Sequence, residues 1–162
     1  MDGIVGRVMQ IAVGLILLVG VVVGGQKMFA SSKASNAVGD MMTLEQNIQS
    51  AYSAQPNFTS LSNTASNAGG WTPSDMVNGA SGIINQWGGT VTVAVDATST
   101  QFDLTETNVP PVACTTMANG AQGAMSVTVN GSALTGTAPF DPATVATACS
   151  TSQNTLKFVF GH

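Results

Sequence analysis

The chain changes its hydrophobic rhythm after its first quarter. Between Arg7 and Lys27 lie nineteen residues without charge, and 11–23 is almost wholly aliphatic. As a helix rising about 1.5 Å per residue, this run is roughly 28 Å long, close to the roughly 30 Å hydrocarbon core of a bilayer. Beyond Lys27 the pattern narrows to one stripe. Ala34, Val38, Met41, Leu44, Ile48 and Tyr52 recur at three- and four-residue steps, with Ser35, Asn36, Asp40, Thr43, Asn47 and Ser50 between them. That spacing predicts an amphipathic helix with one buried face. No proline precedes Pro56, so the two halves read as one continuous helix of about fifty residues, roughly 75 Å long. A cleavable signal peptide fits less well, because Met28-Phe29-Ala30 makes a poor small-residue cleavage site and Lys27 intrudes just before it.

Glycine marks the apolar half. Gly6, Gly14, Gly20, Gly24 and Gly25 interrupt it, and each interior glycine costs about 1 kcal/mol relative to alanine. Gly20 and Gly24 have the G-x-x-x-G spacing that lets membrane helices approach closely. Packing of several copies through this face, or local unwinding between Gly14 and Gly25, would offset the cost.

The remainder alternates short strand and helix signals. Gln55-Pro56-Asn57 ends the long helix, and 60–70, rich in Ser, Asn, Ala and Gly, reads as loop. Thr72-Pro73-Ser74-Asp75 reads as an N-cap with proline at the first helical position. Strands are expected at 90–95, 101–105, 124–129 and 156–160, where apolar and polar residues alternate. Short helices are expected after Pro110-Pro111, through Cys114 and Met117, and after Asp141-Pro142, through Val145 to Cys149; 132–140 reads as loop. The expected class is therefore α+β, a long N-terminal helix packed on a small antiparallel sheet with short helices. Its parts are an apolar helix at 1–27, an amphipathic continuation at 28–54 and a globular head at 55–162.

Composition restricts the chemistry. Only 7% of the 162 residues are charged, and the net charge is −4, against about 25% charged in an average soluble domain. Nucleic-acid binding needs clustered Lys and Arg, so none is expected. The single histidine is His162, the eight carboxylates are scattered, and no P-loop, G-x-S-x-G or H-E-x-x-H occurs. Neither an enzyme nor a cofactor or metal site is expected. Asp103 and Glu106 lie three apart and read as a solvated strand edge. Trp71 and Trp87 read as core or subunit contacts.

Cys114 and Cys149 are the only cysteines. Two cysteines allow one bridge, and a free buried pair is the alternative. A bridge would close a loop of about 36 residues and stabilise by roughly 4 kcal/mol on the chain-entropy model. It would also place the head in an oxidising compartment.

Together these features resemble the type IV pilins, and within them the type IVb branch of bundle-forming, toxin-coregulated and conjugative PilS-like subunits. The resemblance rests on the apolar helix running into an amphipathic one and on Asn85-Gln86-Trp87-Gly88-Gly89 turning into strand. Further on it rests on 109–117 around Cys114, 141–149 ending at Cys149, and Phe158-Val159-Phe160-Gly161. It implies the pilin fold with a Cys114–Cys149 disulfide. It further implies a major structural subunit of an extracellular pilus on a bacterial surface, a homopolymer that joins into a helical filament after an inner-membrane stage. Prepilin peptidase and the assembly machinery would be its partners, and Met1 would be the processed, methylated terminus. Filament-core packing would fall to Val8, Ile11, Gly14, Leu15, Leu18, Gly20, Val22, Gly24 and Gly25. Val5 stands where the family usually has Glu, so Asp2, with Arg7, is expected to neutralise a neighbour's amino terminus. Conjugative mating contact, aggregation and adhesion are the expected roles. A pseudopilin of a secretion machine and a membrane-tethered extracellular binding module are the alternatives.

Overall fold

The structure is a computed structural model, and it describes residues 29–161. Residues 29–51 form helix α1. Its stripe is buried as the spacing requires: Ala34, Met41, Leu44 and Ile48 are fully inaccessible and Ala37 nearly so, while Val38 and Tyr52 are half-buried. The helix stops at 51, before Pro56 is reached. The amide of Tyr52 still returns to the Ile48 carbonyl at 3.0 Å, but those of Ser53 and Gln55 close tighter turns onto Ser50 and Tyr52.

Five strands make one antiparallel sheet, in the order β3-β4-β7-β5-β6: β3 Val91–Val95, β4 Gln101–Val109, β5 Ser126–Val129, β6 Ser132–Ala133 and β7 Asn154–Gly161. A separate two-stranded ribbon pairs β1 Val77–Asn78 with β2 Gly82–Ile83. Alternation assigns the faces of the larger sheet. Val91 and Val93, Phe102 and Leu104, Leu156, Phe158 and Phe160, and Val127 and Val129 all point inward and share one apolar core with α1. Phe58, Phe102 and Phe160 form a ladder of rings with centroids 4.9 and 5.6 Å apart. Outside, one row across the sheet reads Thr92, Thr105, Lys157 and Thr128. Hydroxyls take the place of the missing charges there.

Helix α2, Asn63–Ala68, lies where a loop is expected. The local signal is Ser62, whose side chain accepts from the Ala65 amide at 3.2 Å as an N-cap, with Gly69 at the other end. Its first residue guards the sheet. Asn63 donates to the Val91 carbonyl at 2.8 Å and accepts from the Val93 amide at 2.7 Å. One side-chain amide thus fills two ladder positions on the outer edge of β3, where an open edge invites pairing with other chains.

The expected helix at Thr72-Pro73 is only a turn, closed by the Met76 amide on the Pro73 carbonyl at 3.0 Å and leading straight into β1. Thr72 is unavailable as a cap because its hydroxyl is buried against that of Ser66 at 2.8 Å. The region 132–140 also departs from loop at its start, where Asn130-Gly131 turns β5 back into β6. The other two helices stand where expected, α3 at Pro111–Gly120 and α4 at Pro142–Ala148.

Met41→Ala removes a fully buried side chain from the centre of the helix–sheet contact. It is expected to cost about 2–5 kcal/mol, read as a lower urea midpoint with unchanged m-value for the full chain in detergent.

Candidate functional site

Two constructions concentrate polar chemistry in the head. The first surrounds residues 85–89. Asn85 is buried, and its side-chain oxygen accepts from the amides of Trp87 at 3.1 Å and Gly89 at 2.8 Å. Its amide donates to the Thr107 carbonyl of β4 at 2.8 Å. Gly88 is needed for its φ of +73°, and any Cβ on Gly89 would run into the Thr107 carbonyl oxygen. The N-x-aromatic-G-G segment is therefore a clasp that locks this loop onto the end of β4. Next to it, Gln86 donates to Asp40 of α1 at 2.8 Å and at 3.4 Å to Asp75.

Glu106 lies behind this clasp, 1% exposed, and neither carboxyl oxygen has a hydrogen-bond partner. Burial pushes its pKa up to about 8; the Asn85 amide pulls it down in smaller measure, and the Asp40 charge adds to the rise. Asp40 is itself raised, chiefly by desolvation, with Gln86 opposing and Asp75 adding. The expectation that Asp103 and Glu106 share a solvated edge thus fails for Glu106, which is buried, and for the edge itself, since β4 is an inner strand. Strand β4 lies between β3 and β7, and residues three apart on a strand face opposite sides. Asp103 faces out and pairs with Lys157 at 2.7 Å; Glu106 faces in, on the same side as Phe102 and Leu104.

The second construction is the disulfide-bounded region. Cys114, buried on α3, is bonded to Cys149, the C-cap of α4. The two cysteines are therefore bridged, and no free thiol remains in the chain. Asp141 caps α4, accepting from the Thr144 amide and hydroxyl, each at 2.9 Å. Those bonds hold its carboxyl below the usual range. Asn130 and Asn154 then tie the bridge to the sheet. Asn130 donates to Asn154 at 2.8 Å and to the Ala148 carbonyl at 3.1 Å, while Asn154 donates to the Val109 carbonyl across the bulge of β4 at 3.1 Å. An open groove of about 720 Å³ lies between the β5–β6 hairpin and α4, lined by Val129, Leu134, Thr144 and Thr147 among others, none of them charged.

The family profile described as PilS N terminal matches residues 31–161. The chain belongs to the PilS family of type IVb pilins. Its fold is similar to that of TcpA, a type IV pilin from Vibrio cholerae El Tor biotype. Identity is 12% and the TM-score 0.53, over 79% of this chain and 98% of that one. No curated protein matches the sequence. A PilS pilin is a structural subunit rather than an enzyme, which accounts for a head in which buried polar groups serve architecture. Among the described residues no group of three metal-binding side chains converges, and no helix is long and apolar enough to cross a membrane.

Of the residues singled out by sequence, the structure joins Cys114 to Cys149. Met1, Asp2, Arg7 and the packing positions from Val8 to Gly25 lie outside the described residues. Trp71 and Trp87 are half-buried against the core, Trp71 in edge contact with Tyr52 at 5.6 Å. Sequence reading puts Glu106 on a solvated edge, although its parity with Phe102 and Leu104 already assigns it to the inner face. The asparagines at 63, 130 and 154 escape it, and Asn85 is seen only as part of its motif, because turn-rich composition carries no record of distant partners.

Reducing the disulfide in this PilS pilin is expected to lower its stability by roughly 4 kcal/mol. Urea unfolding with and without reductant reads the loss, and a Cys114→Ser, Cys149→Ser double variant should match the reduced protein.

Proposed function

We propose that this PilS chain is the major subunit of an extracellular pilus and polymerises through its apolar N-terminal segment into a helical filament. The observation that carries this reading is the adjacency of an uncharged nineteen-residue run to a PilS head whose α1 buries its own stripe on the sheet. The core of the described head is built from residues 34 to 160, and residues 8–26 carry no charge. That leaves their apolar surface to be covered first by the inner membrane and then by sister copies, at about 25 cal/mol per Å² buried.

In this reading the regions 1–27, 28–54 and 55–162 serve as filament core, connecting helix and exposed head. Prepilin peptidase processes the precursor before assembly. Val8, Ile11, Gly14, Leu15, Leu18, Gly20, Val22, Gly24 and Gly25 pack along the axis, and Asp2 with Arg7 compensates a neighbour's buried ammonium, which is costly unpaired. The filament makes surface contact, in conjugation, aggregation or adhesion.

Removing residues 1–28 tests the reading. The truncated chain is expected to sediment as a soluble folded monomer and to be absent from filaments, whereas the full chain enters them. A truncated chain that still polymerises overturns the reading, and one that retains a binding activity unaided by assembly points to a tethered binding module.

Filaments of the full chain are expected to survive moderate salt, because one ion pair, Lys157–Asp103, is found among the described residues and exposed pairs contribute little. Light scattering across a salt titration checks this; disassembly by ionic strength alone contradicts it.

A further inference from the structure

A carboxyl group sealed in an apolar interior with neither oxygen hydrogen-bonded is expensive to keep charged and tolerable when neutral. Glu106 is in that position, at a junction of three elements. On its own sheet its cross-strand neighbours are Val91 of β3 and Leu156 of β7, both buried and apolar. Asp40, on α1, is the charge that acts on it, and Asp75 stands beyond, bridged to Asp40 through Gln86. From the 85–89 loop comes the uncharged Asn85, and α3 carries no charged residue. Glu45, the other buried carboxyl of α1, lies further along the helix with the Gln49 amide beside it. Among these groups none is a cation, so an ionised Glu106 would face an apolar wall and like charge, offset only in smaller measure by the Asn85 amide.

We propose that Glu106 is a protonation latch: its neutral carboxyl lets α1 and the 85–89 clasp seat on β4, and its ionisation loosens that seating. The Asp40–Gln86 bond is the tie most exposed to the change, since it links α1 directly to the clasp. An extracellular head meets the pH of its surroundings without a cell's buffering, so its grip on its own helix would vary with the medium.

The direction follows from linkage. The folded head holds this proton up to a pH of about 8, whereas an ordinary glutamate releases it near 4.5. The proton's contribution to stability is complete below about 4.5. It declines as pH rises from 4.5 to 8 and falls no further above that. The expected trend is thus a head more stable in acid than in weak alkali.

Trp87 sits in the clasp, with its amide on Asn85, and reports the seating locally. In a full-length Trp71→Phe variant held in detergent well below its melting temperature, Trp87 fluorescence should titrate with a midpoint near pH 8. Adding Glu106→Gln, which imitates the protonated acid, should abolish that titration and flatten the fall in Tm with pH. Asp40→Asn leaves Glu106 in place and should move the midpoint down by removing the repelling charge. Glu45→Gln should leave the midpoint where it is. A titration that persists in Glu106→Gln, or a flat response in the Trp71→Phe parent, overturns the proposal. Infrared detection of a protonated carboxyl at neutral pH, lost in Glu106→Gln, gives a second reading independent of the tryptophan.

Discussion

The seating of α1 on the inner face of the sheet is the contact on which the rest of this pilin head depends. Ala34, Ala37, Met41, Leu44 and Ile48 present one side of the helix to strands whose inward residues are almost all apolar. Burying each large side chain fully is worth about 1.5–3 kcal/mol, so a few helical turns supply a large share of the stability of a small domain. Without the helix, Phe102, Leu104, Phe158 and Phe160 would be an open greasy surface.

Scarcity of charge shapes everything around that contact. Where other proteins use ion pairs, this one uses asparagine. Asn63 closes the edge of β3, Asn85 gathers the clasp, and Asn130 with Asn154 fastens the disulfide-bounded region to β7 and to the bulge of β4. A side-chain amide offers both donor and acceptor in one plane, so it can imitate a missing backbone partner without the desolvation cost of a charge. Glu106 is the exception, a carboxyl on a central strand with no partner.

Periodic elements were readable from sequence because their signal is local. The stripe of α1, the alternation in β3, β4 and β7, and the Asp141-Pro142 opening of α4 all depend on neighbours within a few residues. The misreadings have a common origin in tertiary demands. Thr72 looks like a cap, but its hydroxyl is taken by Ser66, six residues back and buried. Ser62 does cap, inside a stretch whose composition suggests loop. Cys114 and Cys149 could be offered as a pair from number alone, yet what makes the bridge is the packing of α3 against α4 beside β7. Of the clasp, the Asn85-Gln86-Trp87-Gly88-Gly89 segment was visible in the sequence but its partner on β4 was not; Glu106 required the strand's parity to be taken seriously.

The proposed filament rests on an uncharged nineteen-residue run beside a PilS head, whose apolar surface copies of the chain would cover for one another. Cryo-electron microscopy of full-length material sheared from cells measures this most directly. The proposed reading predicts filaments in which the apolar segments form a closely packed central rod and the heads lie outside. Full-length chains found only as isolated copies held in lipid or detergent, with no fibres in any preparation, would contradict it.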